Sequence, residues 1–181
     1  KYNEKKRVYK MKKTIVNKCK KIKVVLTDVD GTLTDGSRYY DEKGEHLKKF
    51  HVRDGMGVNI LLRNGIKTVI VTKEKSMIVK KWASSMNVSQ TMMNIKNKEK
   101  ILPKICFKYK VKPEEIAFIG DDVNDICLLK LVGLSACPND SEDLVKNMVD
   151  FICIKNGGRG SFRELSSLIL SNKFPQITNW Y

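Results

Sequence analysis

The hydrophobic pattern of the chain begins at Ile22. Ile22 to Leu26 is a short β-branched run, the pattern of a strand buried on both faces. Two short runs, Ser37 to Tyr40 and Glu45 to Phe50, flank Asp41-Glu42-Lys43-Gly44, and a Gly-containing turn between such runs predicts a β-hairpin. From Gly55 to Asn64, the residues Met56, Ile60 and Leu61 share one helical face, and Gly65 supplies a stop. Ile66 to Val71 predicts a second buried strand, Ser76 to Asn87 a helix, Val88 to Met92 a weak strand, and Lys98 to Tyr109 another helix. Pro113 leads into a third strong strand, Ile116 to Ile119. The remainder alternates: helix from Asn124 to Leu131, strand from Gly133 to Ala136, helix from Ser141 to Met148, strand from Phe151 to Ile154, and a final helix from Ser161 to Leu170.

Strands alternating with helices imply an α/β fold, a Rossmann-like doubly wound parallel sheet covered on both faces, with the hairpin inserted after the first strand. In such sheets ligands bind beyond the carboxyl ends of the strands. Chemistry is therefore expected just after Leu26, Val71 and Ile119. The 181 residues suffice for one domain, placed at 22–170, with neither an internal repeat nor a low-complexity linker inside it.

Charge changes the picture only at the start of the chain. The formal net charge is +15, but residues 1–23 carry eleven lysines and arginines against Glu4 alone, so +10 belongs to that segment. Residues 1–21 are expected to be a flexible basic leader, and residues 171–181 a tail in which Phe174, Trp180 and Tyr181 either fray or dock on a neighbouring subunit. A charge block of this kind argues against nucleic acid as the partner of the folded body. No apolar run approaches the roughly 18 residues of a membrane span, and no apolar stretch follows the basic start as in a secretory signal. Five cysteines, an odd number with no C-x-x-C pair, argue against a disulfide framework or a zinc site. Cys106, Cys127, Cys137 and Cys153 are expected to be small buried hydrophobes in a reducing cytoplasm.

All three strand ends hold reactive residue types. The first carries Thr27-Asp28-Val29-Asp30-Gly31-Thr32, the second Thr72, and the third Gly120-Asp121-Asp122-Val123-Asn124-Asp125. Carboxylates drawn together from two separate segments repel unless something neutralises them. Hard oxygen ligands in strand-end loops suit magnesium, which completes its shell with water and phosphate.

Asp28-Val29-Asp30-Gly31-Thr32, Thr72, Lys98 and the Gly120 to Asp125 run resemble the four motifs of the haloacid dehalogenase-like phosphatases over about residues 22–170. The resemblance implies Asp28 as nucleophile, giving a covalent aspartyl phosphate, and Asp30 as general acid and base. It implies Thr72 and Lys98 on the phosphoryl oxygens. The expected magnesium ligands are Asp28, the main-chain carbonyl of Asp30 and Asp121, with Asp125 supporting Lys98 or the metal's water shell. Asn124 is expected to contact substrate.

Many members of that superfamily carry a cap domain over the site. Here only about forty residues separate Asp30 from Thr72, and the next gap, to Lys98, holds one helix and one strand, so a capless site is expected. Gly36-Ser37-Arg38-Tyr39-Tyr40, Phe50-His51-Val52-Arg53-Asp54-Gly55 and Gly157-Gly158-Arg159-Gly160 resemble the branch that dephosphorylates 3-deoxy-D-manno-octulosonate 8-phosphate. That branch implies a homotetramer whose sites are closed by a neighbouring subunit, with Arg53 and Arg159 meeting the sugar carboxylate. One position departs: Thr72 is followed by Lys73-Glu74, where the branch usually has Gly-Arg. Glu74 resembles instead the phosphatases of nonulosonate (sialic-type) 9-phosphates, which compete as a reading, as does an assembly domain like those behind sialic-acid cytidylyltransferases.

Overall fold

In the computed structural model, residues 14–176 and residue 180 are described. A helix, α1, covers 14–21. The strands are β1 (Val24–Thr27), β2 (Tyr39–Asp41), β3 (Gly44–Leu47), β4 (Lys67–Val71), β5 (Gln90–Met92), β6 (Ile116–Ile119), β7 (Leu134–Cys137) and β8 (Phe151–Ile152). The further helices are α2 (Val52–Arg63), α3 (Met77–Ser85), α4 (Leu102–Tyr109), α5 (Ile126–Leu129), α6 (Asp143–Lys146) and α7 (Ser161–Lys173). The α/β expectation holds. Six strands form one parallel sheet in the order β5-β4-β1-β6-β7-β8, and β2 pairs with β3 as a separate antiparallel hairpin.

Side-chain alternation along the strands builds two cores. Val25, Ile70, Ala117 and Ile119 join one cluster with Val58, Ile60 and Leu61 of α2, Val79 of α3, and Phe162, Leu165 and Ile169 of α7. Val24, Leu26, Val69, Val71, Ile116 and Phe118 join the other, with Ile105 of α4, Leu128 of α5 and Val145 of α6. Every strand residue near the centre is therefore buried on one side or the other, which is why these runs read as continuous apolar segments.

The Phe50 to Gly55 motif is explained in large part by packing. Phe50 stacks on Trp82, with ring centroids 4.4 Å apart and planes 11° from parallel. Asp54 is fully buried, and its carboxylate accepts the Gly160 N–H at 3.1 Å and the Arg163 N–H at 2.9 Å. Gly160 has no side chain with which to cap α7, so Asp54 caps it from the first turn of α2. Burial raises the Asp54 carboxyl above its ordinary value, against the pull of those N–H groups.

Several expectations need correction. Part of the segment read as a flexible leader is folded: α1 places Cys19 and the following Ile22 in the first core, and Lys18 pairs with Asp150 at 2.5 Å. Charge counting missed this because three apolar residues, Ile15, Cys19 and Ile22, suffice to dock a short helix. Residues 1–13 lie outside the described residues. Helix α7 continues to Lys173, and Phe174 and Trp180 pack against this chain's own core; Tyr181 lies outside the described residues. Cys127 is exposed and Cys106 half-buried, whereas Cys137 and Cys153 are buried as expected; all five are free thiols. Lys98 stands in a 3₁₀ turn (Lys98–Ile101) ahead of α4, because Pro103 fixes the first turn of α4.

Candidate active site

The chain runs outward from β1 through β4 to β5, then returns to the other side of β1 as β6. The order therefore switches between β1 and β6, the crevice where such sheets bind ligands. The Asp28 N–H donates to the Ile119 carbonyl at 3.0 Å, tying the two strand ends together. A cavity of about 180 Å³ opens there, lined by Asp28, Asp30, Thr72, Asp121 and Asn124, with Arg38, Lys73, Glu74 and Asp122 completing the wall.

Close approach of the two acidic loops depends on glycine. Gly31 has φ +87°, and a Cβ there would lie 1.9 Å from Asp121 Oδ2. Gly157 presses on the same loop from the far side, where a Cβ would meet the Gly31 carbonyl at 1.8 Å, and the Gly158 N–H donates to Thr32 O at 2.9 Å. The glycines around Arg159 thus shape the loop after β1, while Arg159 itself is exposed.

The inner half of the site is crowded with negative charge. Lys98, 1% exposed, reaches Asp28 Oδ1 at 2.8 Å and Asp125 Oδ1 at 2.6 Å. Asp125 Oδ2 accepts the Asp121 N–H at 3.1 Å, and the Thr32 hydroxyl lies 3.4 Å from Asp121 Oδ1. Oxygens of Asp28, Asp121 and Asp125 all come within 4.8 Å of one another. One ammonium among three carboxylates leaves an excess of two negative charges. Burial first, and then Asp125, pushes the Asp28 carboxyl up to about 7, although Lys98 opposes this. Burial, Asp28 and Asp125 push Asp121 up to about 8. Burial also lowers the Lys98 ammonium, but Asp28 and Asp125 outweigh it and hold it above its ordinary value. A hard divalent cation fits this set. Asp125 spends both oxygens inside the protein, so Asp28 and Asp121, which line the cavity, are the pair placed to hold one.

The outer half is built by the hairpin. Lys48, whose side chain has no exposure, pairs with Asp30 Oδ1 and with Glu45 at 2.7 Å. Glu45 in turn accepts the Ser76 hydroxyl at 2.8 Å. Arg38 sits 3.6 Å from Asp30 Oδ2 and 3.5 Å from Glu74. The side chain of Asp30 therefore stands apart from the acidic cluster. Thr72 is buried at the end of β4, and its hydroxyl accepts the Glu74 N–H at 3.2 Å.

Of the residues expected from sequence, the structure brings together Asp28, Asp30, Thr72, Lys98, Asp121, Asp125, Glu74 and Asn124. Arg53 and Arg159 do not line the cavity; both are exposed, beside the buried Asp54 and the close-packed glycines that their motifs serve. Lys48 and Arg38 were missed. Arg38 stood inside a motif with no role assigned, and Lys48 had no signal at all, since both partners depend on how the hairpin folds back.

Two buried carboxylates at the switch point with a lysine between them, and a hydroxyl at the end of the adjacent strand, form a site suited to a phosphoryl group and a divalent cation. Residues 70–163 match the family model of the haloacid dehalogenase-like hydrolases. The 3-deoxy-D-manno-octulosonate 8-phosphate phosphatase of Haemophilus influenzae is 37% identical over 153 residues, covering 84% of this chain and 85% of that protein. The cobalt-bound structure of the phosphatase from that organism superposes with a TM-score of 0.84 at 36% identity, covering 86% of this chain and 91% of the other. The Moraxella catarrhalis phosphatase, solved with magnesium, phosphate and a KDO molecule, gives 0.85 at 31% identity, covering 88% and 91%. The chain belongs to the haloacid dehalogenase-like hydrolases and, within them, to the phosphatases that these relatives represent: it is a phosphoric monoester hydrolase.

Proposed function

We propose that the chain is a magnesium-dependent phosphatase of 3-deoxy-D-manno-octulosonate 8-phosphate, acting through an aspartyl phosphate on Asp28. The observation that carries the reading is the close cluster of Asp28, Asp121 and Asp125, with Lys98 paired to Asp28 and Asp125, in a chain 37% identical to a phosphatase of that substrate.

Asp28, Asp121 and the Asp30 carbonyl would hold the magnesium ion, which would supply positive charge to offset the carboxylates and the phosphoryl oxygens. An oxygen of Asp28 attacks phosphorus, and Lys98 and the Thr72 hydroxyl hold the phosphoryl oxygens in line. As the bond from phosphorus to the sugar oxygen breaks, Asp30 gives that oxygen its proton. Asp30 then takes a proton from water, whose oxygen attacks the phosphoryl group on Asp28. Inorganic phosphate leaves and the Asp28 carboxylate is restored. Asn124 and Glu74, on the cavity wall, contact the substrate.

Exposed Tyr39, Tyr40 and Leu47 on the hairpin support assembly as a homotetramer that closes the open site. Free cysteines fit a reducing cytoplasm, and no helix among the described residues is long and apolar enough to cross a membrane.

A nonulosonate 9-phosphate is the second reading, favoured by Glu74 standing in the cavity wall. The test is magnesium-dependent phosphate release from both sugar-acid phosphates, a neutral hexose phosphate and a 3′-phosphorylated oligonucleotide, with Asp28→Asn as control. Preference for the octulosonate ester, lost in the variant, is expected. Preference for the nonulosonate ester would move the assignment to the second reading. No release from any substrate would leave an assembly domain.

A further inference from the structure

The cavity wall holds a cation with donor capacity still to offer a ligand. Lys98 is consumed by Asp28 and Asp125 at 2.8 and 2.6 Å, and Lys48 is sealed between Asp30 and Glu45. Arg38 differs from both. Its guanidinium lies 3.6 Å from Asp30 and 3.5 Å from Glu74, beyond the usual 2.7–3.2 Å of an N–H donor bond. Its side chain is 34% exposed, at the edge of the cavity. Arg38 also hydrogen-bonds the Tyr40 side chain, and together with Glu74 that contact aims the guanidinium while leaving part of its five-donor fork available.

Position then decides which part of a ligand Arg38 meets. The phosphoryl group belongs beside Asp28, Lys98 and Thr72. Arg38 lies past Asp30, the acid for the leaving oxygen, so it meets the body of the leaving group. A planar fork of donors suits a carboxylate, which it binds through two parallel bonds. Lys48 already neutralises Asp30, so Arg38 can turn toward a ligand without stranding that acid. Glu74 keeps the guanidinium oriented, and its own charge disfavours a doubly charged phosphate in the same place.

We propose that Arg38, aimed by Glu74, reads the carboxylate of the leaving group and so selects sugar-acid phosphates over neutral sugar phosphates. This rests on the assignment of the chain as a sugar-acid phosphatase. The experiment compares kcat/KM for 3-deoxy-D-manno-octulosonate 8-phosphate with that for glucose 6-phosphate, in the magnesium-loaded wild type, Arg38→Ala, Arg38→Lys and Glu74→Gln. The ratio of the two constants is expected to fall about 30-fold in Arg38→Ala, the size of a charge-assisted hydrogen-bond pair, and the loss should sit in KM. Arg38→Lys recovers part of the ratio by restoring charge without the fork, and Glu74→Gln lowers it less than Arg38→Ala does. An unchanged ratio in Arg38→Ala, with both constants falling together in kcat, overturns the inference and makes Arg38 a support for Asp30. A wild type with no preference between the two esters overturns the substrate assignment beneath it.

Discussion

Asp28 and Asp30 are two residues apart and live in opposite electrostatic regions. Asp28 belongs to the inner half, where one buried lysine pairs with Asp28 and Asp125, and burial together with the neighbouring carboxylates raises both Asp28 and Asp121. Asp30 belongs to the outer half, where the hairpin brings two cations, Lys48 and Arg38, into a network with Asp30, Glu45 and Glu74, and both of them meet Asp30. The inner region is short of positive charge and calls for a metal ion. The outer region supplies its own cations, and its acid needs none. A single loop therefore presents two aspartates in contrasting charge environments, one among carboxylates and one beside two cations, because the neighbours and not the residue type set the surroundings.

The comparison breaks most completely at the nucleophile. Asp28→Asn should lower turnover by at least about 10⁴-fold. It should not lower the melting temperature of the metal-free protein, since it removes a repelling carboxylate and leaves Lys98 paired with Asp125. Phosphate release and a thermal melt check the two halves of that statement. Lys98→Met should do the reverse to stability. Stripping the ammonium from the inner carboxylates should cost about 3 kcal/mol, read from urea unfolding without metal, together with most of the activity.

Lys48→Met tests the outer half. Asp30 should lose its position while Asp28 and its neighbours keep theirs, so kcat should fall about 10- to 100-fold with little change in KM. An equal loss of metal binding, measured by calorimetry, would show that the two halves are not separate.

A subtler test uses pH. The folded protein holds protons on Asp28 up to about 7 and on Asp121 up to about 8, against 3.8 for an ordinary aspartate. Between those limits the folded state binds more protons than the unfolded one, so metal-free stability should fall as pH rises through that window. Magnesium, which needs the ionised carboxylates, should then raise the melting temperature more at about pH 8.5 than at about pH 6. The smallest effect is expected at the exposed arginines: Arg53→Ala and Arg159→Ala should each change kcat/KM by no more than about twofold, the effect of ordinary surface substitutions.

Much of this site was readable along the chain. Asp28, Thr72 and Asp121 each follow a strong apolar strand, and a parallel sheet brings such strand ends to one edge, so one-dimensional order implied proximity. Lys98 was legible only from its place in the motif series, since nothing local marks it. Within one chain Arg53 and Arg159 lie outside the cavity, and the features of their motifs have a packing explanation. Arg53 and Arg159 sit in glycine- and aspartate-containing segments whose constraint comes from packing, Asp54 capping α7 and Gly157 pressing on the nucleophile loop.

The sequence alone therefore determined the parallel α/β sheet, the hairpin and the acids at the strand ends, because the periods and endings of buried strands are local properties. Only the tertiary structure decided which cations those acids receive. The hairpin folds back over the β1 loop, and that long-range contact seals Lys48 onto Asp30 and hangs Arg38 between Asp30 and Glu74. It also decided that α1 is part of the body, because docking Ile15, Cys19 and Ile22 depends on a matching surface that charge counting along the chain does not register.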